Sequence, residues 1–143
     1  MIDWIGNAPE IADPGYLPTD DLRHWPQQPE GKSRDSLFWQ MILPEHELGF
    51  QCYLYLTGAG TAGFNLILWG ADKRPHVLEL VRGEVPETMD FEDFRLGNLH
   101  VRQPADQKSA HVIFESDKVR LDYQFEGFHA PFSYRSTPDG PPS

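Results

Sequence analysis

Between residues 119 and 126 the chain alternates without a slip. Val119, Leu121, Tyr123 and Phe125 take one parity, and Arg120, Asp122, Gln124 and Glu126 take the other. Successive side chains of a β-strand point to opposite faces, so a period of two describes a strand with one apolar and one wet face. Residues 50–57 repeat the pattern, with Phe50, Cys52, Leu54 and Leu56 set against Gln51, Tyr53, Tyr55 and Thr57. No stretch of useful length carries the 3.6-residue period of an amphipathic helix, so the chain is expected to fold from strands.

Further strand segments follow about every ten residues. Ser36 to Leu43 is rich in aromatic and aliphatic residues and stops at Pro44. Gly63 to Gly70 is apolar on both parities (Phe64, Leu66 and Leu68 against Asn65, Ile67 and Trp69), which predicts a central strand covered on two sides. His76 to Arg82, Asn98 to Gln103 and Ala110 to Glu115 complete the set, while the acidic stretch 83–96 reads as a short strand or a lid-like loop. About seven to nine short strands separated by turn signals predict an all-β, antiparallel sandwich or half-barrel. Prolines at 9, 14, 18, 26 and 29 exclude a long helix or central strand from residues 1–35. That segment also holds Trp4, Ile5, Ile11, Tyr16, Leu17, Leu22 and Trp25, which need burial, so it is expected as a Pro-rich N-terminal arm packed on the core. The division is then arm 1–35, β domain 36–135 and a Pro/Gly/Ser tail 136–143.

Charge narrows the function classes. With 22 acidic and 12 basic side chains among 143 residues, the net charge is −10, which leaves little for a cationic face on nucleic acid or an anionic membrane. No run of about 18 apolar residues is present to span a bilayer. The first twenty residues lack the basic start and apolar run of a secretory signal. The lone Cys52 excludes an intrachain disulfide and a cysteine zinc cage, and its apolar-alternating context predicts a small buried hydrophobe. A cytoplasmic location is the expectation that follows.

Catalytic and ligand-binding signals are sparse. Residues 58–63 spell G-x-G-x-x-G, but a strand rather than a helix follows, so they predict a hairpin loop and no dinucleotide site. The acidic run 84–93 lacks the order of a calcium loop. Six histidines, at 24, 46, 76, 100, 111 and 129, show no paired metal-ligand spacing, so neither a metal nor another cofactor is expected. For acid–base chemistry the candidates are Glu79, a carboxylate sharing a strand face with Val77 and Val81, together with His76 and His111. Glu79 has a plainer reading as a cross-strand ion-pair partner or an edge charge that blocks aggregation. Tyr53, Tyr55, Trp69 and Tyr123 combine large apolar rings with a polar tip and are the candidate ligand-lining residues.

The order of features resembles a known family. His24-Trp25-Pro26 precedes Arg34-Asp35-Ser36-Leu37-Phe38-Trp39, and later come Leu96-Gly97-Asn98-Leu99-His100-Val101 and the run from Leu121 to Tyr134. These residues are similar to the first half of the tandem lipocalin-like proteins typified by AttH and carotenoid 1,2-hydratase, over roughly residues 24–134. The resemblance implies a lipocalin-like β domain that binds a small apolar ligand. Members carry two such halves, so a homodimer or a second domain is the expected partner. The catalytic acid of the hydratases has no counterpart in this stretch, and the resemblance implies no catalytic residue. The enzymatic alternative is a cofactor-free hydratase, lyase or isomerase on an isoprenoid-like or polycyclic substrate.

Overall fold

The structure, a computed structural model, describes residues 15–24, 33–72 and 74–128. Eight strands form two antiparallel four-stranded sheets, each a simple meander. The first sheet holds β1 (Arg34–Leu43), β2 (Leu48–Thr57), β3 (Thr61–Gly70) and β4 (Pro75–Glu84). The second holds β5 (Phe94–Leu96), β6 (Leu99–Arg102), β7 (Ser109–Glu115) and β8 (Arg120–Glu126). The all-β expectation is met as a sandwich of two open sheets, without closure into a barrel. Among the described residues no helix is long and apolar enough to cross a membrane.

The parity read from residues 50–57 decides the core. Phe50, Cys52, Leu54 and Leu56 all face inward, joined by Ala62, Phe64, Leu66 and Leu68 of β3 and Trp39 of β1. The second sheet answers with Phe94, Leu99, Val101, Ala110, Val112 and Phe114. Rings bind the layers together: Phe64 and Phe114 meet edge-on with centroids 6.3 Å apart, and Phe50 lies 5.0 Å from Tyr123. Each such side chain removed from water contributes on the order of 1.5–3 kcal/mol. At one rim β4 abuts β5, since Leu96 reaches within 3.2 Å of where a Cβ on Gly83 would stand. The G-x-G-x-x-G stretch is the β2–β3 hairpin, as expected, with Gly60 donating to Thr57 O and taking a positive φ of 79°.

One expectation is met with a limit, and one needs correction. The strand with the cleanest alternation, β8, is the least buried, with Leu121 and Tyr123 half-exposed and Phe125 at 43% exposure. It is an edge strand, where alternation survives but the covering layer runs out. β3 is central in its sheet, between β2 and β4, yet only its inner face is covered among the described residues; Ile67 and Trp69 are half-exposed on the other.

Residues 15–24, the described part of the arm, run as a strap across one end of the sandwich. They dock by polar main-chain contacts and not by the apolar burial expected of them: Tyr16 and Leu17 are exposed, and Leu22 is half-buried. The anchor is Arg23, only 5% exposed. Its Nη1 donates to the carbonyls of Glu87 (2.8 Å) and Met89 (3.2 Å), its Nη2 to that of Thr57 (3.0 Å). The Arg23 amide donates to Asp90 Oδ1, which also accepts from the Phe91 amide. Gln103 Nε2 donates to the Asp21 carbonyl, and the Gln107 amide donates to the Asp21 carboxylate. The expectations for residues 1–14, 25–32 and the 136–143 tail lie outside the described residues.

The outer face of the second sheet is wet and laced with charge. His111 Nε2 meets Asp122 at 2.7 Å, His100 and Arg95 share Asp93 (2.6 and 3.3 Å), and Lys108 pairs with Glu126 at 2.9 Å. Three carboxyls are held below their ordinary value of 3.8. For Asp72 the main cause is the Arg74 amide, and for Asp93 the His100 ring. Asp106 feels some burial, which hydrogen bonds from Ser109 and Lys108 outweigh. Asp21, within the strap, is shifted the other way, upward, by burial.

Two predictions follow from this scaffold. Replacing Arg23 by Met keeps the volume but strips donors from three partly buried carbonyls, and is expected to cost about 1–3 kcal/mol in chemical unfolding. A loss under about 0.5 kcal/mol would show that the strap does not depend on that side chain. A depressed carboxyl stabilises the fold above its unfolded value and stops doing so as pH falls through the folded one. With three groups shifted down and Asp21 alone shifted up, the thermal midpoint is expected to fall between about pH 5 and pH 2.5. A midpoint flat over that window contradicts the pairing.

Candidate functional site

With even-numbered residues of β2 and β3 committed to the core, their odd-numbered residues point outward, and the register aligns them in rows across all four strands. One row reads Phe38, Tyr53, Asn65, Leu80; the next Gln40, Gln51, Ile67, Leu78. Behind the first lies Ser36, Tyr55, Gly63, Arg82, and at the far end Ile42, Gly49 and Trp69. This face is apolar and open. Phe38 is 55% exposed, Ile42 61%, Leu78 51% and Leu80 70%. Contiguous exposed apolar patches are uncommon on a folded monomer. Among the described residues, the only carboxylate whose strand position points this way is Glu84, at the corner of β4.

Local packing makes the face flat and firm. The Trp69 ring lies against Gly49, where an added Cβ would come within 2.3 Å of it, and the Tyr55 ring lies against Gly63 at 2.6 Å. Each aromatic therefore folds down over a cross-strand glycine and does not stand up from the sheet. Arg34 stacks its guanidinium 4.0 Å above the Tyr55 ring centre, and its Nη2 donates to the Tyr53 hydroxyl at 2.5 Å. Ser36 Oγ is 3.0 Å from the same hydroxyl. Within the row of Phe38 and Leu80, Asn65 Oδ1 is buried and has no hydrogen-bond partner. An unpaired buried acceptor costs about 1–3 kcal/mol, which makes it a point of unsatisfied demand.

The four ligand-lining candidates do not share one pocket. Tyr53, Tyr55 and Trp69 stand together on this face, whereas Tyr123 lies on the inner side of the second sheet against Phe50. Its hydroxyl pKa is raised by burial. The acid–base candidates occupy three different places. Glu79 is half-buried on the inner side of β4, opposite Leu66, with no ion-pair or hydrogen-bond partner among the described residues. His76 bonds Asp72 (3.1 Å) beside the β3–β4 turn, and His111 bonds Asp122 on the outer face of the second sheet. No pair of them is set to pass a proton to one substrate atom. Cys52 is fully buried, and burial pushes its thiol up to about 12, leaving it an inert core residue. Among the described residues no three His, Cys, Asp or Glu side chains gather as a metal site would need.

Concave spaces lie toward the strap. A cavity of about 130 Å³ is walled by Trp39, Ala110, Phe125, Gln103 and Asp21. An open groove of about 640 Å³ passes over Arg102, Asp106, Lys108, His111 and Glu126, polar residues suited to water. Neither has the enclosed, mostly apolar lining typical of a small-molecule site.

Of the residues on this face, the sequence reading singled out Tyr53, Tyr55 and Trp69 but not Phe38, Ile42, Leu78 and Leu80. The signal for the last two was present. Leu78 and Leu80 share parity with Arg82, opposite to Val77, Glu79 and Val81, so β4 carries apolar residues on both faces.

One family model, described as a domain of unknown function (DUF7064), matches residues 17–143. That span takes in most of the described strap and all eight strands. No curated protein and no solved structure gives a significant match. With all but its first sixteen residues inside that match, the chain belongs to the DUF7064 family.

Proposed function

We propose that this chain is a binding module whose working surface is the outer face of its first sheet, and that it takes up an apolar surface there. The observation that carries this reading is the continuity of exposed Phe38, Leu78 and Leu80 with Tyr53, Tyr55 and Trp69 on a face almost free of acids. The resemblance to tandem lipocalin-like proteins supports an apolar partner. The flatness of the face favours a broad partner surface over a small ligand, because small molecules are held in clefts that bury most of their area. The acid–base reading is weaker, since Glu79, His76 and His111 do not converge.

The test is uptake of Nile red, a neutral apolar dye, at nanomolar protein. The paired replacement Leu78→Ser with Leu80→Ser is expected to reduce dye fluorescence at least about threefold while the thermal midpoint stays within a few degrees, because both side chains are more than half exposed. Dye uptake unchanged by the replacement would place the sticky surface elsewhere and overturn the reading.

A further inference from the structure

We infer that the occupant of this face is a second copy of the same chain, seated sheet against sheet about a two-fold axis that runs parallel to the strands between β2 and β3. The inference rests on the reading of this face as the working surface and adds the identity of the partner. An isologous contact requires a patch that complements itself. A two-fold axis so placed lays β1 of one copy over β4 of the other, and β2 over β3, row on row.

Under that operation two rows match chemically, while Gln40 comes to face Leu78 and Ser36 to face Arg82. Phe38 of each copy meets Leu80 of the other, closing two of the most exposed apolar side chains. At the end of the sheet Arg34 meets Glu84, so the single carboxylate of the face finds a cation, twice per dimer. Near the axis Tyr53 meets Asn65. The Tyr53 hydroxyl accepts from Arg34 and shares a hydrogen bond with Ser36 Oγ, in which either hydroxyl can be the donor. No other arrangement about an in-plane axis does this: an axis across the strands sets β1 on β1 and leaves Arg34 and Glu84 on different partners.

The size of the face also fits. Ten-residue strands at ~3.4 Å per residue and four strands at ~4.8 Å spacing give a rectangle of about 34 by 19 Å, or roughly 650 Å² in projection. Corrugated by side chains, that approaches the ~800 Å² per partner of a standard specific interface. A chain of charge −10 resists meeting itself, and the near absence of acids from this one face removes the local part of that repulsion.

The experiment is sedimentation velocity on the full chain over a wide concentration range, at moderate salt. The wild type is expected to sediment as a dimer of the 16.4 kDa chain. Leu80→Glu is expected to weaken self-association at least about tenfold, because it sets a carboxylate against Phe38 of the second copy. Arg34→Glu should weaken it by roughly threefold or more, and adding Glu84→Arg to it should restore the loss. Arg120→Glu, on the second sheet, makes the same change in net charge and should leave association unaltered. Circular dichroism checks that each variant folds; should Leu80→Glu fail, Leu78→Glu takes its place. A dimer indifferent to Leu80→Glu, or a charge exchange without recovery, overturns the proposed seating while the dye result stands on its own. A monomer that takes up Nile red overturns the second copy and keeps the binding surface. A monomer that takes up none overturns both.

Discussion

The whole arrangement depends on one packed layer between two sheets. Phe50, Leu54, Phe64 and Leu66 from the first sheet meet Val101, Val112 and Phe114 from the second, and nothing else in the described chain is large enough to serve as a core. Because strand side chains alternate, committing one parity of β2 and β3 to that layer commits the other parity to the outside. The outer composition of each sheet is then free of the demands of folding and open to those of function. The two sheets use that freedom differently.

On the second sheet the outside carries Arg102 and Gln124 beside Arg95, His100, His111 and Asp122, the last four tied into hydrogen bonds and ion pairs that water and salt screen. On the first sheet the same structural position carries Phe38, Tyr53, Tyr55, Ile67, Leu78 and Leu80. Both faces belong to one molecule of net charge −10, so overall composition does not explain the contrast. Gly49 and Gly63 reinforce it, because each lets an aromatic ring lie down along the sheet, keeping the surface flat enough to accept another layer about 10 Å away.

Much of the fold was legible as parity. The inward set of β2, the hairpin at residues 58–60 and the burial of Cys52 all follow from alternation and turn chemistry. What parity does not say is how much covers a face. The unbroken alternation of β8 belongs to an edge strand, and the doubly apolar β3 has an open outer side. Tyr123 shows the same limit from within, since its apolar parity places it on the core side, away from the other three aromatics chosen with it. Arg23 was illegible for another reason. Its partners are main-chain carbonyls 34 to 66 residues away, which any sequence would offer, so no side-chain pattern announces the anchor. Asn65 likewise looks like an ordinary polar residue in a strand until the register sets it between Tyr53 and Leu80.

The central claim is that the outer face of the first sheet is built to be covered by another copy of itself. Hydroxyl-radical footprinting read residue by residue by mass spectrometry, across a dilution series, tests it most directly. At low concentration Phe38, Leu78 and Leu80 should be oxidised readily, and as concentration rises they should become protected together, while Phe125 and the outer residues of the second sheet keep a constant rate. Equal reactivity of Phe38, Leu78 and Leu80 at every concentration would contradict it.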